Sequence, residues 1–283
     1  MSRRLKRSSR CIDVYASPTL DEREGKFVLG GPLYYAQFAL RSAGLTVTVR
    51  WPFRVLESRS SYTIYSVADV GGVKRLLLRQ WSRWSSPLPW CEAALFSPVY
   101  HDFPTHTMGL ARHYKYCIVD IQGFTRHASN DGIVYRLPLP QLLWDISNCI
   151  LKIGADDVRS LHDIVRVVEE HEPRRLLVTF NGRGFALIDF ERNTMLVARV
   201  RRVNVEAVGA GDMFNSILLA RLVEGASLEE AVLEAAELVG RILSSKLKSG
   251  TSSRNDSSIV AYVERLPCAG CYLDKLVILA NYR

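Results

Sequence analysis

Glu206-Ala207-Val208-Gly209-Ala210-Gly211-Asp212-Met213-Phe214 leads straight into a strongly apolar stretch that ends at Glu224. A glycine-alanine-glycine turn ahead of a helix leaves backbone N–H groups unpaired at the helix start, where the helix dipole also favours negative charge. Larger side chains would keep a phosphate away from those amides. Asp212 stands at the same point, and the positive helix end is expected to hold its carboxylate ionised. A carboxylate beside an anion cradle can take a proton from a hydroxyl while the amides stabilise charge on a transferring phosphoryl group. The same spacing fits a tight turn with an N-capping aspartate equally well. Spacing alone does not choose between them.

Working outward, residues 93–97, 116–121 and 175–180 are short apolar runs without alternation, as in strands buried on both faces of a parallel sheet. Helical segments separate them, notably around 158–170, and residues 186–189 and 195–200 read as a late hairpin. Ser227-Leu228-Glu229-Glu230 has the form of a capping box, opening a helix to about Leu243. Near the start, residues 11–15 and 26–30 read as brief strands. Leu33, Ala36, Leu40 and Ala43 then fall at helical spacing behind Pro32, with Gly44 ending that helix. Residues 45–49 read as another strand, and 61–68 with 73–81 as a hairpin around Gly71-Gly72. The expected fold is a three-layer α/β domain with a central, mostly parallel sheet and a smaller early sheet.

The bulk composition suits such a domain. The chain has 283 residues, 48% hydrophobic and 23% charged, and no apolar run of membrane-spanning length. No apolar run of signal-peptide type follows MSRRLKRSSR, so the protein is expected in the cytoplasm, with no membrane partner. The formal charge of +8 is concentrated at the start: Arg3, Arg4, Lys6, Arg7 and Arg10 lie within the first ten positions. Without those five, 32 basic residues face 29 acidic ones, a balance suited to anionic metabolites rather than nucleic acid. Residues 1–10 read as a flexible basic tail. Cys11, Cys91, Cys117 and Cys149 lie in apolar surroundings and are expected as small buried hydrophobes. Cys268 and Cys271 have metal or redox spacing but no second pair, which favours a disulfide or an inert turn over zinc.

The turn at Gly209–Asp212, with Phe214 two residues later, resembles the C-terminal signature of the PfkB (ribokinase-like) carbohydrate kinases. Other segments resemble the same family in the same order. Asp13 resembles its substrate-binding aspartate, and Gly30-Gly31 with Gly44 its double-glycine signature. Thr179, Asn181, Gly182 and Gly184 resemble the turn before its nucleotide site. The resemblance spans about residues 11–250. It implies a ribokinase-like kinase domain over residues 11–283, with a β lid built from about 14–30 and 59–81. It also implies ATP as phosphoryl donor, Mg2+ bridging the phosphates, Asp212 as general base and the Gly209, Ala210 and Gly211 backbone as the phosphoryl cradle.

Residues 119–126 (VDIQGFTR) and 150–157 (ILKIGADD) further resemble the myo-inositol kinase-like branch. That likeness implies substrate contacts from Gln122 and Arg126, a nucleotide-side role for Lys152, and Asp156 or Asp157 as the acid that organises Mg2+. Guanidinium suits bidentate recognition of oxygen atoms.

The chain also departs from the family. Glu206 keeps the acid before the turn and a metal-side role, but Ala207 and Val208 replace two threonines. Tyr35 stands where an asparagine often grips a sugar hydroxyl, which implies a differently shaped pocket, one that stacks on an apolar or planar substrate face. There is no Walker-type loop; Lys248-Ser249-Gly250-Thr251 has the wrong context. His101, Asp102 and His106 lack a third partner at ligand spacing and read as satisfied loop residues. The expected activity is phosphorylation of a hydroxyl on a polyol, a sugar of the myo-inositol type or a nucleoside, by a monomer or homodimer. The alternatives are a catalytically idle ligand sensor of the same fold and, from the tail and residues 81–84, a nucleic-acid binder.

Overall fold

The computed structural model describes residues 8–23, 25–52, 63–70, 73–81, 89–102, 105–138, 146–158, 160–200, 208–247 and 259–265, with Tyr272 and Leu276. Most of the basic tail, Trp84, Glu206, Ala207, residues 248–251, Cys268 and Cys271 lie outside the described residues.

The strands are β1 (Ser8–Tyr15), β2 (Thr19–Arg23), β3 (Lys26–Gly30), β4 (Thr48–Arg50), β5 (Thr63–Val70), β6 (Val73–Gln80), β7 (Cys91–Phe96) and β8 (Tyr116–Asp120). They continue with β9 (Arg126–Ala128), β10 (Val134–Arg136), β11 (Ile150–Gly154), β12 (Arg175–Thr179), β13 (Gly184–Asp189), β14 (Thr194–Val200) and β15 (Ile259–Arg265). The helices are α1 (Gly31–Ser42), α2 (Gln122–Thr125), α3 (Leu161–His171), α4 (Ala210–Val223) and α5 (Leu228–Leu247).

One nine-stranded sheet, in the order β15-β14-β13-β12-β11-β8-β7-β1-β4, runs through the molecule. From β4 to β12 every pairing is parallel, and β13, β14 and β15 extend the edge antiparallel. Two apolar clusters cover its faces. One contains buried side chains of α1, α4 and α5; the other contains those of α3, residues 105–113, Tyr272 and Leu276. This is the expected three-layer arrangement. α4 is apolar on all sides because it is enclosed, with everything from Met213 to Ala220 buried. At the start of α5 the capping box forms as read: Glu230 Oε2 accepts the Ser227 amide at 3.0 Å and Ser227 Oγ accepts the Glu230 amide at 3.3 Å.

A separate four-stranded sheet, ordered β3-β2-β5-β6, forms the small β unit expected as the lid. It reaches the main body through Tyr65, whose hydroxyl donates to the Val99 carbonyl at 3.1 Å, and through the Leu78 amide, which donates to the Gly132 carbonyl at 2.8 Å.

The four apolar cysteines differ from expectation. Cys11 is bonded to Cys91 and Cys117 to Cys149, with Cα separations of 5.2 and 4.7 Å. The sheet explains it: β1 lies beside β7, and the Ile118–Ile150 register of β8 and β11 brings their preceding residues, Cys117 and Cys149, face to face.

Candidate active site

Gly209 adopts a left-handed conformation (φ 79°), and the first intrahelical bond of α4 runs from the Met213 amide to the Gly209 carbonyl at 2.9 Å. The amides of Ala210, Gly211 and Asp212 therefore precede the helical ladder and are available to an anion. Gly209 is required twice over. Its φ disfavours a side chain, and a Cβ there would stand 2.4 Å from Cγ of the Tyr35 ring. The Tyr35 ring thus lies on the turn itself, where the sequence led us to expect it against a substrate.

Asp212 accepts a hydrogen bond from Ser97 Oγ at 3.4 Å, from the residue that follows β7. The sequence led us to expect the helix end to hold its carboxyl ionised; it does not. Burial, reinforced by the Asp120 carboxylate, pushes its pKa up to about 7, against the pull of Lys152, Arg126 and Ser97.

Beneath the turn lies a cluster that the sequence reading only partly named. Lys152 on β11 is buried, with Nζ 3.0 Å from Asp120 Oδ2 and 3.7 Å from Asp157 Oδ2. The same Nζ would be 3.6 Å from a Cβ on Gly211, so the ammonium sits beside the Gly209–Asp212 turn. Asn215 Nδ2 donates to Asp120 Oδ2 at 3.0 Å, and the Gln122 amide donates to Asp120 Oδ1 at 3.2 Å. Arg136 pairs with Asp157 Oδ1 at 3.2 Å, and the Gly154 amide reaches Oδ2 at 3.2 Å. Burial and the Asp157 charge push the Asp120 carboxyl up while Lys152 pulls it down. Burial opposes charge on Lys152, but the two carboxylates together hold its pKa above the ordinary lysine value. Asp120, Asn215, Ser97 and Arg136 were not singled out from sequence. The available signals were position: Asp120 closes a buried strand at the sheet edge that carries the site, and Asn215 lies three residues after Asp212 on the same helix face.

The residues expected to hold the acceptor do not all lie together. A Cβ on Gly31 (φ 80°) would stand 3.1 Å from the Ser17 carbonyl oxygen, and one on Gly30 2.8 Å from Asp21 Oδ2. Asp21, which also accepts from Thr19 Oγ1 at 3.2 Å, is thus the carboxylate beside the double glycine. Asp13 is not. It lies mid-strand, fully buried, accepting the Trp90 and Cys91 amides and the Tyr114 hydroxyl at 2.8–3.0 Å and paired with Arg50. Trp90 and Cys91 lie at the start of β7, whereas Ser97 follows its end. Asp13 therefore faces the edge of the sheet opposite Asp212.

Gln122 and Arg126 do come together. With its amide turned so that the oxygen faces the guanidinium, Gln122 accepts from Arg126 Nη1 at 2.8 Å. Arg126 also donates to the Val99 carbonyl at 3.3 Å and lies over Tyr65 of the four-stranded sheet, 5.9 Å from its ring centre. Asp102 is structural: fully buried, it accepts the Ser17, Val99 and Tyr100 amides at 2.6–2.9 Å, tying together the loops after β1 and β7. His101 Nε2 lies 3.0 Å from the Arg126 carbonyl, in keeping with a satisfied loop residue.

Of the residues expected at the nucleotide, Thr179 ends β12 opposite Gly154, and residues Asn181–Arg183 form the tight turn into β13. Gly184 (φ 134°) is needed by the hairpin, because a Cβ there would meet the Ala198 carbonyl at 2.0 Å. This turn shares the sheet edge of Lys152.

Of the residues expected to hold Mg2+, Asp157 does not suit it. Asp156 is exposed, Glu206 is outside the described residues, and Asp157 already faces Lys152 and Arg136. A divalent ion on either Asp157 oxygen would sit within a few ångströms of a fixed positive charge. Among the described residues no three histidine, cysteine or acidic side chains are grouped to hold a metal.

Residues 151–254 match the family described as pfkB family carbohydrate kinase. A pyrophosphate-dependent kinase of the ribokinase family, solved with a pyrophosphate analog and myo-inositol, superposes with a TM-score of 0.58 at 18% identity, over 82% of this chain and 94% of that one. Part of the chain thus matches the pfkB family, and its fold is ribokinase-like. Arabidopsis thaliana ribokinase with ribose and ATP gives a TM-score of 0.56 at 14% identity, over 96% and 99% of the two chains. Cryptococcus neoformans ribokinase with ADP gives 0.57 at 13%, over 83% and 94%. At these identities the structural likeness establishes the ribokinase-like fold. No curated protein matches the chain. The pfkB match and the fold support a kinase that phosphorylates a hydroxyl group. Among the described residues no helix is long and apolar enough to cross a membrane.

Proposed function

We propose that the chain transfers the terminal phosphoryl group of ATP to a hydroxyl of a small polyol or sugar, with Asp212 as general base. The observation that carries this reading is the Asp212 carboxyl at the start of α4, beside three amides outside the helical ladder and with a pKa raised to about 7. A base poised near the working pH combines a useful ionised fraction with enough basicity to accept a proton in the transition state. The acceptor oxygen attacks the terminal phosphorus of the donor and its proton passes to Asp212. The bond from that phosphorus to the bridging oxygen breaks, and its electron pair leaves with the diphosphate. Ser97, bonded to Oδ1, orients the carboxylate, and the amides of Ala210, Gly211 and Asp212 receive the charge on the equatorial oxygens. Asp21, Gly30 and Gly31 would hold the acceptor, with Arg126 and Gln122 on its other side. The four-stranded sheet would exclude water, which otherwise competes with the acceptor.

Pyrophosphate is the second donor reading. It is favoured by the lysine beside Gly211 and by the likeness to a kinase that uses pyrophosphate. Incubating the protein with ATP or pyrophosphate and a panel of polyols, sugars and nucleosides, with phosphorylated products followed by phosphorus NMR, tests both. A phosphomonoester formed with one donor supports the kinase and names that donor. Tight ligand binding with no product from any pair would favour an idle sensor.

A further inference from the structure

Lys152 is a long, flexible cation held in an unusually fixed position. Its Nζ lies between Asp120 and Asp157, at 3.0 and 3.7 Å, and only 5% of its side chain is exposed. Each acid is itself held from behind. Asn215 and the Gln122 amide fix Asp120, and Arg136 and the Gly154 amide fix Asp157. The anchors come from α2, α4, β10 and β11, so four elements support the two acids that hold one ammonium group. Burying such a charge is costly and is tolerated only with several good partners. What the arrangement achieves is a positive charge placed against Gly211, where a Cβ would stand 3.6 Å from Nζ. Gly211 has no side chain to come between that charge and a phosphate at the turn. Asn215 Oδ1, buried in the same cluster, has no hydrogen-bond partner among the described residues. One neutral oxygen flanked by lysine does not make a magnesium site, which calls for carboxylates free to bind it.

We infer that Lys152 is the fixed cation of the donor end of the cleft, taking the place in which the family resemblance puts protein-bound Mg2+. Asp157 is then a positioning residue for Lys152 rather than a metal ligand, and Asp120 is its counterpart. The inference rests on the kinase reading, since it assigns the charge that meets the donor's phosphates. The donor end accepts a bare polyphosphate anion without a metal on the protein.

The test is titration calorimetry of inorganic pyrophosphate into the protein, once in excess EDTA and once with Mg2+. The wild type is expected to bind in EDTA. Lys152→Met should weaken that binding by about tenfold to a hundredfold, the worth of one charge-assisted contact. Lys152→Arg should recover part of it. Because Lys152→Met leaves two buried acids short of a partner, the paired variant Lys152→Met/Asp120→Asn removes one charge of each sign and should show the same loss in a folded protein. Wild-type binding that appears only with Mg2+ would overturn the inference while leaving the kinase reading intact. So would binding in EDTA that is unchanged in the lysine variants. If neither pyrophosphate nor ATP binds with or without Mg2+, the kinase reading itself falls.

Discussion

In the proposed reaction a single carboxyl group sets the pH behaviour of the site. Asp212 acts as a base only when ionised, and its pKa is raised to about 7, chiefly by burial and next by Asp120. The turnover rate should therefore climb with pH below about 7, by up to tenfold per unit, and level off above it. Asp120→Asn removes one of the two raising influences, so the acid limb of its pH–rate profile should move to lower pH; an unmoved limb would detach Asp120 from the base. The same shift governs stability. Between about pH 4 and pH 7 the folded protein keeps a proton that the unfolded chain has released, so stability falls as pH rises through that window. Asp212→Asn should be more stable than wild type at pH 8, by at most about 4 kcal/mol, and equal to it near pH 4 in urea unfolding. Asp212 was legible from its helix-start position; its protonation was not, because burial and Asp120 reach it through the tertiary fold. Asp13 and Asp21 show the same limit. Both lie in short early strands, and only the packing of Gly30 shows which faces the cleft.

Elements with strong periodicity or recognisable ends were legible: α1 behind its proline, α5 behind its capping box, and the apolar strands β7, β8 and β12. β2 was not, because Leu-Asp-Glu-Arg is charged and gains its strand state only by lying between β3 and β5. The three-residue strands β9 and β10 are too short to carry a pattern, yet they bear Arg126 and Arg136. At the junction of α1 and α4, Tyr35 and Gly209 were read separately, one as a substrate contact and one as a turn. The structure makes them a single contact. Gly209→Ala should destabilise by about 1–3 kcal/mol through left-handed strain and the clash with the ring. Adding Tyr35→Ala should recover the clash but not the strain, so a double-mutant cycle should show positive coupling. Additive losses would mean that the ring does not press on the turn.

Across the whole molecule, two disulfides tie strands of the central sheet, closing separations of 80 and 32 residues. Chain-entropy reasoning assigns about 4 kcal/mol to each. Reductant should lower the melting temperature of the wild type but not that of a Cys11→Ser/Cys117→Ser variant; equal melting with and without reductant in the wild type would show that the bonds contribute nothing. Cysteine in an apolar run reads as a small hydrophobe until strand order is known, which is why neither bond was foreseen. The layered architecture, by contrast, was legible because its alternating segments and the Gly209–Asp212 turn point to one fold. The central claim is that this fold carries a phosphoryl-transfer site with Asp212 as its base. Its most direct test is Asp212→Asn, assayed for transfer to the best acceptor and for donor binding by calorimetry. Transfer should fall by at least about a thousandfold while donor affinity stays within a few-fold of wild type. Turnover close to wild type in that variant would contradict the account.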